Sequence, residues 1–260
     1  MQPSGVALVS SMDNNWHLIF AGPSYSHLLD HAEAGVVSIS RPSGSVPKAA
    51  TLLAAAGKIA GVPVDLVAVD MPLSLEPIKA RRVSDNLVSA HYGARHCSTH
   101  TPSATRPGKI SDDLRGSFEQ CGYRLLTEKV DVPGLLEVYP HPALVELMCA
   151  ERRLPYKHGK IRKYWPGESP AGRRAKLFET WRRIVACLDE NLRGASAVLQ
   201  LPHFEAPSWQ LKAFEDTLDA VICAWVGICA FEGSAVPFGD KTSAIWIPQS
   251  ELLTLPRGLP

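Results

Sequence analysis

The chain has 260 residues, 45% of them hydrophobic and 20% charged, with a formal net charge of +1. That composition excludes disordered, collagenous and coiled-coil classes, and it gives no global field toward nucleic acid or a lipid surface. A chain this long buries enough surface to fold without a metal or disulfide staple, so one domain over 1–260 is expected, with a helical and loop insertion around 78–130.

Six dispersed cysteines without a CxxC pair read as reduced. Met1 to Asn15 lacks a basic flank and cleavage site, and no uncharged apolar run reaches the ~20 residues of a membrane helix. A cytoplasmic protein with no membrane association is expected.

Taken in order, Gly5 to Ser11 and Trp16 to Ala21 are apolar and flank the turn chemistry of Asp13-Asn14-Asn15, which predicts a hairpin. Val36 to Ile39 predicts a third strand, and Pro47 opens a helix to about Ala60. Asp65 to Pro72 is almost continuously apolar and predicts a strand buried on both faces in mid-sheet, ending on Asp70. Ile78 to Tyr92 is helical in pattern. Gly93 to Gly108 is loop-like, and a helix over about Asp112 to Tyr123 follows. Leu135 to Tyr139 predicts a strand with Glu137 at its centre, and Pro140 and Pro142 start the next helix. Ser169-Pro170 caps a helix whose apolar face is Leu177, Trp181, Ile184, Leu188 and Leu192. A last long helix runs from Pro207-Ser208 to Phe231, and Ser243 to Ile247 is a closing strand. The fold class is α/β: a mixed sheet with three antiparallel strands followed by alternating strands and helices.

Asp70 at the carboxyl end of an apolar strand, Glu137 among apolar neighbours and Asp219 at the start of an uncharged helical stretch are costly places for carboxylates unless something compensates them. Asp216 shares a helix face with Asp219 but better suits a helix-dipole role. Three such acids are what Mg2+ or Mn2+ needs, and two ions together hydrolyse phosphodiesters. Residues 151–176 carry nine Lys or Arg against two acids, with Tyr156, Tyr164 and Trp165 interleaved. They are a candidate strand-binding strip or a solvated charged face. His91, His96, Cys97 and His100 match no closed zinc spacing. P-loop, dinucleotide-binding, nucleophile-elbow and zincin motifs are absent from the sequence.

The segments VAVDMP (Val67 to Pro72), RRVSDNLVSAHYGARHCST (Arg81 to Thr99), LEVYPHPALVEL (Leu136 to Leu147), LPYK (Leu154 to Lys157), DTLDAVICAWVG (Asp216 to Gly227) and GDKTSAIWIP (Gly239 to Pro248) resemble, in order, a family of predicted nucleases with an RNase H-like fold, domain of unknown function 429. The resemblance implies Asp70, Glu137 and Asp219 as metal ligands and catalytic groups, with Lys157 and Arg82 stabilising phosphate charge. Asp85, Arg95 and Ser98 would be substrate-binding positions. It also implies a carboxylate on the first strand, where this chain has Ser10 with Asp13 three residues on. Three readings follow: a metal-dependent nuclease, catalytically reduced at Ser10; a non-catalytic nucleic-acid or protein binding module on the same fold; or a protein that holds a small phosphorylated ligand, such as a nucleotide, in the same cleft.

Overall fold

The first strand pair shows how directly local chemistry sets local structure. In the computed structural model, which describes residues 3–35, 41–46 and 48–253, β1 (Val6–Met12) and β2 (Asn15–Gly22) form an antiparallel hairpin. Its two-residue loop holds Asp13 and Asn14 at φ 50° and 59°. Left-handed backbone at both loop positions matches the twist of the strands, and Asp and Asn tolerate it because their short side chains bond locally.

The remaining elements are α1 (Tyr25–Ala34), α2 (Ala49–Ala60), β3 (Leu66–Val69), α3 (Val83–Tyr92), α4 (Lys109–Glu119), β4 (Arg124–Leu125), β5 (Gly134–Val138) and α5 (Pro140–Leu147). A 3-10 turn (His158–Lys160) then leads into α6 (Ile161–Tyr164), α7 (Pro170–Asn191), α8 (Ala195–Val198), α9 (Ser208–Phe231), β6 (Ala235–Gly239), β7 (Ala244–Pro248) and α10 (Ser250–Leu253). The chain divides into two compact units, 1–64 with 154–225 and 65–153 with 226–260. No helix among the described residues is long and apolar enough to cross a membrane.

In the first unit the hairpin packs on α1 and α2, burying Phe20, Leu28 and Ala55 with Leu8, Leu52 and Ile59 against them. Arg193 extends β2, since Leu18 N–H donates to its carbonyl at 2.9 Å and Arg193 N–H donates to Trp16 at 2.9 Å. Ser169 caps α7 through Gly172 N–H at 3.0 Å. The spacing read from the sequence is the buried face of that helix: Leu177, Trp181, Ile184, Leu188 and, just beyond its end, Leu192 are all fully buried. Trp181 Nε1 donates to the Tyr156 carbonyl at 2.8 Å and its ring lies 4.8 Å from that of Phe214.

The second unit is a mixed sheet in the order β3-β5-β7-β6, with β4 also paired to β5. Its β3, β4 and β7 run parallel to β5, while β6 runs antiparallel to β7. The expectation for the first of the parallel strands is corrected here. Leu66–Val69 is half-buried at every position and, among the described residues, lies at the end of the strand order, whereas β5 is buried at all five positions and has neighbours on both sides. Gly134 opens β5 where a Cβ would fall 2.3 Å from Leu126 Cδ1 and 2.6 Å from the Asp131 carbonyl, so only glycine fits that approach. Val88, Tyr92, Cys97, Val145, Ile245 and Ile247 form the core between α3, α5 and the sheet.

The predicted strand Val36–Ile39 and the helix-opening Pro47 lie outside the described residues. Helix α1 and strand β6 are not among the predicted elements. Helix α3 starts five residues later than the pattern suggested, after an irregular stretch that ends in extended backbone at Arg82.

Candidate functional site

Glu137 leaves the buried strand β5 pointing at the segment that follows β3, and Arg82 comes to it from the residue just ahead of α3. Arg82 Nη2 donates to Glu137 Oε1 at 2.7 Å and Nη1 donates to Oε2 at 2.5 Å, and the Leu73 N–H adds a bond to Oε2 at 2.6 Å. The other face of the guanidinium meets Asp85, with Nε on Oδ2 and Nη2 on Oδ1, each at 3.0 Å. Nη1 also donates to the Leu73 carbonyl at 2.6 Å. All five guanidinium N–H groups are thereby used. Asp85 also accepts the Arg82 backbone N–H at 3.0 Å, closing the first turn of α3.

All three side chains are buried. Burial works against the charged guanidinium, but the bonds and charges of Glu137 and Asp85 outweigh it and hold Arg82 protonated more firmly than usual. Burial pushes the Glu137 carboxyl up to about 7, with Arg82 and the Leu73 N–H pulling the other way. Asp70, the first residue after β3, is exposed. Burial raises the Tyr139 phenol to about 12, and the Asp70 charge pushes in the same direction.

The first unit holds a second ionic cluster. Residues 212, 215, 216 and 219 share one face of α9. Tyr156 Oη donates to Asp219 Oδ1 at 2.7 Å, and Lys157 Nζ donates to Asp219 Oδ2. The Lys157 ammonium also lies 3.7 Å from Glu215 and 4.7 Å from the Tyr156 ring centroid. Glu215 accepts the His158 N–H at 2.6 Å and Lys212 Nζ at 3.2 Å, and Lys212 also donates to Asp216. The Glu215, Asp216 and Asp219 oxygens lie within 4.8 Å of one another, the one such grouping of potential metal ligands among the described residues. Burial raises the Asp216 carboxyl, Lys212 opposes this, and Glu215 and Asp219 add to it. Glu215 was not singled out from the sequence, although its position one turn ahead of Asp219 on the same face was a legible signal.

Of the positions expected to act together, Arg82, Asp85 and Glu137 are joined in one unit, and Lys157 and Asp219 in the other. Ser10 pairs with His17 in the hairpin, and Asp13 is exposed at its tip. Arg95 donates to Glu146 Oε1 at 2.7 Å and to the Ala150 carbonyl at 2.8 Å, fastening the end of α5. The Ser98 carbonyl accepts the Tyr139 hydroxyl at 3.2 Å. Arg81 is a further position with a structural job: it donates to Asn86 Oδ1 at 2.7 Å, the Asp85 carbonyl at 2.8 Å and Ser89 Oγ. Cys97 is fully buried, which pushes its thiol up to about 11, and His91 lies edge-on to Phe238 at 5.0 Å. Neither arrangement suits a zinc ligand.

The basic strip divides in two. Arg153 donates to His141, Arg173 to the Glu168 carbonyl, Arg174 to the Ala206 carbonyl and Lys176 to Glu168, while Lys157 holds Asp219. Lys160, Arg162 and Lys163 are exposed on the 3-10 turn and α6, ahead of the edge-on pair Tyr164 and Trp165.

No curated protein and no solved structure matches the chain. A family model does, over residues 4–243. With nearly its whole length matched, the chain belongs to the family described as Protein of unknown function (DUF429).

Proposed function

We propose that this chain is a nucleic-acid-binding protein on an RNase H-like scaffold in which metal-dependent phosphodiester cleavage has been lost. The observation that carries the reading is the saturation of Glu137. Both of its oxygens accept from Arg82 or Leu73, so a divalent ion must first displace a guanidinium bonded at five N–H groups. Asp219 is likewise engaged by Tyr156 and Lys157, and Ser10 offers no carboxylate. These residues do not fit Mg2+ or Mn2+ as they stand.

Exposed Lys160, Arg162 and Lys163, followed by Tyr164 and Trp165, supply the phosphate-neutralising charge and base-stacking rings that strand binding needs. Fluorescence polarisation of a labelled single-stranded oligonucleotide tests this. With about three phosphate contacts, affinity should fall on the order of 20-fold between 50 and 200 mM salt. Arg162→Glu/Lys163→Glu should remove most of the binding, and no cleavage should occur in Mg2+ or Mn2+. Asp70, exposed at the carboxyl end of β3, favours a second reading, a residual hydrolase. Mg2+-dependent cleavage lost in Asp70→Asn would establish that reading and overturn the first.

A further inference from the structure

Beside the α9 cluster, a cleft of ≈ 640 Å³ opens within the first unit. That is the size of a small-molecule site, and larger than a bound water or simple ion requires. Its wall includes four cationic side chains, Arg41, Lys157, Lys160 and Lys212, against two carboxylates, Glu215 and Asp216. The carboxylates are already matched within the wall. Glu215 accepts from His158 N–H and Lys212, and Asp216 accepts from Lys212. With Asp219, the partner of Lys157, counted as well, the four cations face three carboxylates, an excess of one positive charge, and Arg41 and Lys160 lie exposed at the opening.

Two further features define the ligand. Helix α9 begins in this wall at Ser208 and continues for 24 residues, so the positive end of its dipole adds to the cationic field. Next to it stands Trp209, half-buried, an aromatic surface, and Pro42 adds an apolar group to the lining. Cations alone would suit any anion. Cations and a helix start beside an indole suit an anion that also carries a flat ring.

We propose that this cleft is a mononucleotide-binding site, with phosphate at Arg41, Lys160 and the start of α9 and the base against Trp209. The cleft shares Lys160 with the strand-binding face, but Arg162 and Lys163 do not line it, so the two readings can fail separately.

Calorimetry on the full chain at 50 mM salt, with ADP, inorganic pyrophosphate and adenosine as separate probes, tests it. ADP should bind at least ~10-fold more tightly than either pyrophosphate or adenosine, since ring and phosphate each contribute. Trp209→Ala should bring ADP down to the level of pyrophosphate, whereas Trp209→Phe, which keeps a ring and guards against misfolding, should retain most of the difference. Arg41→Glu should weaken ADP ~10-fold while leaving oligonucleotide polarisation unchanged. Absence of ADP binding at millimolar concentration, equal affinity for ADP and pyrophosphate, or indifference to Trp209→Ala in a variant with wild-type melting temperature would each overturn the proposal. Oligonucleotide binding that persists without ADP binding would overturn it too, while sparing the strand-binding reading.

Discussion

Replacing Arg82 with methionine removes one cation and leaves two buried carboxylates facing each other. The five side-chain bonds are the largest concentration of charge-assisted contacts in the second unit. Breaking a buried ion pair from one side typically costs ~3–5 kcal/mol, because the remaining charge is stranded. Glu137 has an escape, since its carboxyl already stands at about 7 against an ordinary 4.5. A carboxyl raised in the folded state contributes stability below its unfolded value that is lost as pH climbs through the folded value. In wild type that loss is complete near pH 7. Without the guanidinium the folded value rises further, so the variant keeps losing stability above pH 7, by ~1.4 kcal/mol for each additional pH unit over which Glu137 stays protonated. The expected cost is therefore ~3 kcal/mol at pH 6 and ~4 kcal/mol at pH 8. Urea unfolding followed by circular dichroism at the two pH values reads it, as a midpoint lower by about 1–2 M. Arg82→Met/Glu137→Leu/Asp85→Asn, which removes the stranded charges, should recover at least half the loss and its pH dependence. A cost under ~1 kcal/mol, or one equal at both pH values, would refute the reasoning.

Lys157→Met strips Asp219 of its ammonium partner and removes a cation next to Glu215, and should cost ~2 kcal/mol, seen as a lower melting temperature. Asp219→Asn in the same background should restore part of it, because the amide no longer needs a cation. Burial lowers the His158 imidazole below its ordinary 6.5, against the pull of Glu215, so it should titrate below that value by NMR. Since the unfolded chain takes up this proton first, stability should fall as pH drops from 6.5 through the folded value, and His158→Gln should flatten that part of the profile.

What the sequence made legible was what short-range patterning controls. The Asp13-Asn14 turn, the Ser169-Pro170 start of α7 and its apolar face, and the full extent of α9 all follow from local rules. Helix α1 was missed because its signals are weak: its Ser24 cap and Gly35 end flank a stretch whose apolar positions are few. The site was legible as a set of residue types and not as a set of partners. Glu137 was rightly read as a carboxylate needing compensation, but periodicity does not reveal that Arg82, 55 positions earlier, supplies it. The same holds for Lys157 and Asp219, 62 positions apart. A buried acid calls equally for a metal or for a guanidinium, and only three-dimensional placement decides which one answers.

The mutual satisfaction of Arg82, Asp85 and Glu137 bears on how such a protein can change over time. Placing an aspartate at position 10 would leave Glu137 as fully engaged as before, so that change alone gains no ion. Losing the arginine first exposes the lineage to a poorly folded intermediate. The arrangement therefore works against acquiring a metal centre one substitution at a time.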